Sequence, residues 1–200
     1  MSSEAAALPV QPPPERKLPQ LRMQFRAYAA LTPVRLPSGH TLATLPQRDT
    51  AEWIAVLAAN GQLGTWDEQR AHTVLTGERP VLAAATYLIL CGERAVATAC
   101  TVPPTAVEPR SELGWVAVAP AHQGRGLGLQ ACSAVLWYAR REGWPATTLS
   151  TDDWRLPAIR TYLKLGFEPE LTHGSHAARW QEVHRQLAAA PAVQAPGGEA

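Results

Sequence analysis

The sequence predicts an α+β (mixed α/β) fold, a mixed and mostly antiparallel sheet with helices on both faces. Three observations carry this. Two apolar, β-rich runs at 83–91 and 94–102 flank Gly92-Glu93, the spacing of a tight hairpin. Leu127, Ala131, Ala134, Val135 and Tyr138 recur at helical spacing, with Gly143 just beyond them. In the second half of the chain strand-like and helix-like stretches alternate, the pattern of helices laid on a sheet.

Composition bounds the rest. Of 200 residues 46% are hydrophobic and 18% charged, enough apolar surface for one packed domain and too much for a disordered chain. Eighteen basic residues against 17 acidic ones leave +1, so neither nucleic acid nor an anionic membrane surface is expected as a partner. The longest apolar stretch, 81–91, is interrupted by Thr86 and Tyr87 and falls short of the ~20 residues of a bilayer-spanning helix. Pro9, Pro12, Pro13 and Pro14 stand where an export signal would carry its apolar run, and a cytoplasmic location is expected. Cys91, Cys100 and Cys132 form no CxxC pair, which argues against a disulfide framework or a zinc knuckle. His173 and His176 lack further ligands at metal spacing, so no metal is expected.

Along the chain, residues 1–30 read as a disordered, proline-rich tail, 31–189 as the folded domain and 190–200 as a second tail. Arg16, Lys17, Arg22 and Arg26 then form a solvated basic linker. A turn at 37–39 leads into a strand at 40–45. Asp49 caps a helix carrying Trp53, Ile54, Val56 and Leu57, and Asn60-Gly61 stops it. A more polar helix spans 65–75. After the hairpin and a proline-rich loop come a strand at 112–119, the long helix at 126–142, a strand at 147–151, a helix at 157–165 stopped by Gly166, a last strand opened by Phe167 and a closing helix at 177–187.

The segment richest in chemistry runs from Trp115 to Leu129. A buried strand ends at Pro120, a glycine-rich bend follows, and a helix starts at once. Such a bend leaves first-turn amides without intrahelical partners and aims the positive end of the helix dipole outward, so an anion belongs there. Gly124, Gly126 and Gly128 remove Cβ atoms where the anion approaches, and Arg125 adds positive charge, which suits a pyrophosphate. A Walker loop would need Lys-Ser or Lys-Thr, which is absent. A dinucleotide fingerprint would need its third glycine one residue later.

Gln123-Gly-Arg-Gly-Leu-Gly128 resembles the Q/R-x-x-G-x-G/A signature of the GNAT N-acetyltransferase superfamily. Ala158-Ile-Arg-Thr-Tyr-Leu-Lys-Leu-Gly-Phe167 resembles its second hallmark, a helix ending in a Leu-Gly-Phe turn. The resemblance implies a GNAT-like single domain, its sheet splayed between the fourth and fifth predicted strands to admit acetyl-CoA as acyl donor, with no metal. Backbone groups of Val116, Ala117 and Val118 would pair with the pantetheine arm, and Gln123, Gly124, Arg125, Gly126, Leu127, Gly128 and Leu129 would hold the pyrophosphate.

The same resemblance places Tyr162 where a tyrosine protonates the departing thiolate; read alone, it is a core aromatic beside Ile159 and Leu163. Glu112 matches the position of a general-base glutamate and reads equally as a strand-end carboxylate. Asp152 and Asp153 are the alternatives, as water-relayed bases, as contacts for a cationic substrate, or as caps of the next helix. Arg155 stands where the family often has Asn. The function expected is acetyl transfer to a primary amine by direct attack, the acceptor a small molecule or a peptide and the protein a monomer or homodimer. A non-catalytic acyl-CoA-binding module and a dinucleotide-dependent oxidoreductase are the rivals.

Overall fold

The computed structural model describes residues 18–189. Seven strands make one sheet in the order β2-β3-β4-β5-β6-β1-β7. They are β1 (Leu21–Phe25), β2 (His40–Thr44), β3 (Tyr87–Cys91), β4 (Arg94–Val102), β5 (Ser111–Val118), β6 (Thr147–Thr151) and β7 (Glu168–Glu170). Five helices, α1 (Thr50–Asn60), α2 (Glu68–Thr76), α3 (Leu127–Arg141), α4 (Leu156–Leu165) and α5 (His176–Ala189), complete it with single 3-10 turns. All strand neighbours are antiparallel except β5 and β6, which run parallel.

The hairpin, β6 and the α3 stop at Gly143 stand where the sequence pattern puts them. The largest departure is β1. Residues 18–30 are not tail: Leu21, Met23 and Phe25 are buried, Arg22 and Gln24 between them are not, and the strand pairs with both β6 and β7. A clean period-2 alternation in a proline-rich neighbourhood carried that strand. Arg22, within β1, pairs with Glu170 of β7 at 3.6 Å and so belongs to the sheet and not to a solvated linker, whereas exposed Arg26, one residue past β1, donates to Gln24 at 3.1 Å. Arg16, Lys17 and the expected tails 1–17 and 190–200 lie outside the described residues. Two smaller shifts follow local chemistry. A 3-10 turn occupies Ala83–Ala85, so β3 starts only at Tyr87, and α2 starts at Glu68 because the Asp67 carboxylate accepts from Arg70 N.

Alternation along the strands divides the core. Ile89 packs on the face covered by α3, α4 and α5 with Phe25, Leu127, Val135, Leu149 and Trp180, whereas Leu88 and Leu90 pack on the opposite face with Trp53, Leu57 and Trp66. In β5, Leu113 lies on the first face and Ala117 on the second, although they are four positions apart, an even offset that strand alternation would keep on one face. An extra residue must intervene. The pairing with β4 passes from Cys100↔Gly114 to Thr98↔Ala117, so Trp115 and Val116 together oppose Ala99. This β-bulge inverts which side chains face which layer.

Candidate acyl-donor cleft

The two parallel strands are joined at one end and part at the other. Ser111 and Thr147 share a hydroxyl hydrogen bond of 2.8 Å, Thr148 Oγ1 donates to the Ser111 carbonyl at 3.1 Å, and Ser111 N donates to the Ala146 carbonyl at 3.1 Å. The Tyr28 hydroxyl adds a 2.7 Å bond to Thr147. Register between β5 and β6 holds only at Ser111↔Thr147 and Glu112↔Thr148. Beyond Glu112 the edge of β5 facing β6 has no strand partner, and the parted strands open into a cleft of about 1110 Å³. The splay therefore lies between the strands of 111–118 and 147–151, as expected, which are the fifth and sixth once β1 is counted.

At the bulge Trp115 has φ +49°, a left-handed conformation that a bulky side chain adopts only under constraint, at a cost of order 1–3 kcal/mol. Its surroundings supply that constraint. Trp115 stacks edge-on with Trp66 at 4.9 Å, Trp66 does the same with Trp53 at 5.4 Å, and the Arg70 guanidinium lies 4.7 Å from the Trp66 ring and 5.4 Å from Trp115.

The loop after β5 shows which amides remain available. His122 N donates to Ala119 O at 2.9 Å and Gln123 N to Pro120 O at 3.3 Å, which closes the first turn. Among the described residues no acceptor takes the amides of Gly124, Arg125, Gly126, Leu127, Gly128 or Leu129. Gly124 and Gly126 have φ of +77° and +76°, and a Cβ on either would meet nothing within 4 Å. These two glycines are needed for backbone conformation. Gly128 is different, since a Cβ there would stand 3.4 Å from Val118. Gly126 is the N-cap of α3 with no side-chain cap, so the helix presents bare N–H groups and its positive dipole end to the cleft.

The cleft also gathers cations, of which the sequence had pointed only to Arg155. Arg155, Arg160 and Lys164 of the α4 region line it beside the loop amides, an arrangement suited to a polyanion. Val116, Ala117 and Val118 line its floor. The Val118 carbonyl already accepts from Gln123 Nε2 at 3.3 Å and Asn60 Nδ2 at 3.4 Å, so the Gln123 side chain is engaged at the strand end.

Tyr162 is buried on α4 and faces this cleft, its ring 6.0 Å from Phe167. Its hydroxyl has no hydrogen-bond partner among the described residues. Burial pushes the phenol well above its ordinary value, with nearby Cys132 adding to the shift and Arg155 opposing it. At neutral pH it therefore holds its proton. His122 also lines the cleft, and burial, then the Arg125 and neighbouring charges, lower its pKa.

The expected carboxylates fall elsewhere. Glu112 precedes the bulge, on the same face as Trp115, and pairs with Arg79 at 3.4 Å; it is not among the residues lining the cleft. Asp152 binds Arg155 at 3.0 Å and accepts from Gln20 at 3.1 Å. Asp153 takes a bidentate contact from Arg179, with Nε at 2.8 Å, which holds its pKa below the ordinary carboxylate range. Neither aspartate lines the cleft, and neither caps α4, whose N-cap is Arg155. Both are engaged in ion pairs within the chain. Arg155 additionally donates to the Gln62 carbonyl at 3.0 Å, tying the loop after β6 to the segment after α1.

Similarity to known proteins agrees with this geometry. The family model described as Acetyltransferase (GNAT) family matches residues 52–167. A mycothiol acetyltransferase of Thermomonospora curvata is 32% identical over 160 residues, covering 76% of this chain and 52% of its own length; the chain thus spans about half of that relative. A GCN5-related N-acetyltransferase structure from Sphaerobacter thermophilus superposes with a TM-score of 0.63 at 22% identity, covering 76% of this chain and 50% of that one. The ribosomal-protein-S18-alanine N-acetyltransferase of Escherichia coli does so with a TM-score of 0.53 at 22% identity, covering 64% and 77%. These two likenesses concern the fold. With the family model spanning more than half of its length, from α1 to the residue after the Leu-Gly turn of α4, the chain belongs to the acetyltransferase (GNAT) family.

Proposed function

We propose that this protein transfers an acetyl group from acetyl-CoA to a primary amine by direct attack. The single observation that carries the reading is the run of six unpartnered amides, from Gly124 to Leu129, at the N-terminus of α3 beside a strand edge left bare by the splay. Acetyl-CoA supplies a thioester carbonyl to be attacked.

The six amides and the α3 dipole bind the pyrophosphate, and Arg160 and Lys164 add charge around it, Arg155 less because Asp152 already pairs with it. The edge of β5 at Val116 and Ala117 pairs with the amides of the pantetheine arm in place of a sixth-strand neighbour. The Val118 carbonyl, shared by Gln123 and Asn60, contributes less. Tyr162, held neutral by burial, donates the proton that the leaving thiolate takes up. Glu112, directly or through water, accepts the proton of the incoming ammonium from the side of the sheet where Trp115 lies, and Arg79 orients its carboxylate.

Tyr162→Phe tests the assignment. Loss of a positioned proton donor lowers kcat about 100-fold or more and leaves the KM for acetyl-CoA nearly unchanged. Glu112→Gln reads the base in the same assay, against a panel of amines that includes mycothiol-type acceptors because of the 32% identical relative. Normal turnover in both variants removes the mechanism. Tight acetyl-CoA binding with no transfer to any amine would favour the non-catalytic module.

A further inference from the structure

One side-chain cluster beside the phosphate loop has no part in the reading above. His40 is the first residue of β2, Cys91 is the last residue of β3, and the two are direct cross-strand partners. His122 ends the 3-10 turn that follows β5. One ligand atom from each of the three lies within 4.8 Å of the others. The two imidazole rings stand nearly perpendicular with centroids 6.3 Å apart.

The hydrogen bonds leave the right atoms bare. His40 Nδ1 bonds the Ser38 carbonyl at 3.0 Å, and a carbonyl only accepts, so the proton sits on Nδ1 and Nε2 keeps its lone pair. That is the arrangement by which a second partner orients a metal-binding histidine. Nε2 of His40 is buried and has no hydrogen-bond partner, and the same holds for Nδ1 of His122. A buried polar atom left unpaired costs roughly 1–3 kcal/mol. Two such nitrogens beside one thiol are explained by a ligand that all three share.

We propose that His40 Nε2, His122 Nδ1 and Cys91 Sγ bind one zinc-class divalent cation, with a fourth position open. Two imidazoles and a thiolate select a borderline-soft ion over magnesium or calcium, which take oxygen ligands. Zinc bonds of roughly 2.0 Å to nitrogen and 2.3 Å to sulfur place tetrahedral ligand atoms roughly 3.3–3.6 Å apart, so closure needs side-chain movements of about 1 Å. The thiol proton leaves to solvent as the Sγ–metal bond forms. Arg94 and Arg125 are the charged groups beside His122, and both are exposed, where solvent screens them. Bound metal would link the start of β2 and the end of β3 to the turn immediately before Gln123. The binding claim stands apart from acetyl transfer.

The test uses the full chain, stripped with a chelator. Zinc is titrated against a chromophoric competitor, and Co²⁺ is read by absorption. Wild type and His184→Gln are expected to bind one equivalent of zinc. Cys91→Ser and His40→Gln should bind at least about tenfold more weakly, since even outer partners of metal ligands contribute that much. The Co²⁺ complex of wild type should show a thiolate-to-metal charge-transfer band that Cys91→Ser lacks. Equal zinc affinity in wild type and Cys91→Ser, or a wild-type Co²⁺ spectrum without that band, overturns the proposal. Should Cys91→Ser fail to fold by circular dichroism, the wild-type Co²⁺ spectrum decides alone.

Discussion

The loops after β5 and after β6 leave neighbouring parallel strands at the same end of the sheet, and each leads into a helix, yet their polar groups are in opposite states. After β5, six successive amides lack an acceptor among the described residues. After β6, the charges are matched within the chain: Asp152 to Arg155 and Gln20, Asp153 to Arg179, and Arg155 also to Gln62. Arg179 further donates to the Pro19 carbonyl at 2.7 Å, so this loop is anchored to the segment leading into β1 and to α5. One loop has bonding capacity to give to a ligand, and the other has spent it on holding elements together. An abundance of charged side chains is therefore a poor marker of a site, and unpaired backbone is a better one.

The largest expected effect comes from charging the open loop. Gly126→Asp puts a carboxylate where the proposed function seats the diphosphate, in a left-handed conformation that Asp tolerates better than most residues. Like charges in contact cost several kcal/mol, so the KM for acetyl-CoA should rise about 100-fold or more while far-UV circular dichroism stays that of wild type. Unchanged cofactor affinity by calorimetry would erase the contrast between the loops.

Disconnecting the closed loop should do the reverse. Arg179→Ala leaves Asp153 without its bidentate partner and frees the Pro19 carbonyl. A loss of about 1–3 kcal/mol is expected in urea unfolding, with the KM for acetyl-CoA unaltered. A KM change larger than the stability change would mean that this loop takes part in binding.

The smallest effect is in pH. Arg179 lowers the pKa of Asp153, so the unfolded chain binds the proton more readily than the folded one. The pair's contribution is present above the ordinary aspartate value and fades as pH falls through the lowered one. The stability difference between wild type and Asp153→Asn, measured in urea, should accordingly shrink as pH falls below about 5. In the Arg179→Ala background that slope should diminish, because Arg179 is the largest cause of the lowered value.

How much of this was legible beforehand depended on the range of the interaction. The loop from Gln123 to Gly128 and the stop at Gly166 are written in consecutive residues, because positive φ and a bare helix start are local properties. The bulge at Trp115 was not legible. Nothing in Leu113-Gly-Trp-Val-Ala117 marks an extra residue until Ala99 of β4 is set opposite it, and only then do Leu113 and Ala117 fall on different faces. β1 was hidden for a similar reason: its five residues are too few to stand out beside prolines, and its worth comes from pairing with β6 and β7. The expectation of no metal rested on spacing along the chain, where His40, Cys91 and His122 are far apart. Strand register makes the first two neighbours.

Local rules of backbone freedom and periodicity were enough to read the glycine-rich bend before α3, the amphipathic α3 and the sheet-with-helices class from the chain alone. Which carboxylates are consumed in ion pairs, where β5 changes face, and which distant histidines meet a thiol were settled by folding. Those outcomes depend on contacts between segments far apart in the chain, and their energies exist only once the sheet has brought the partners together.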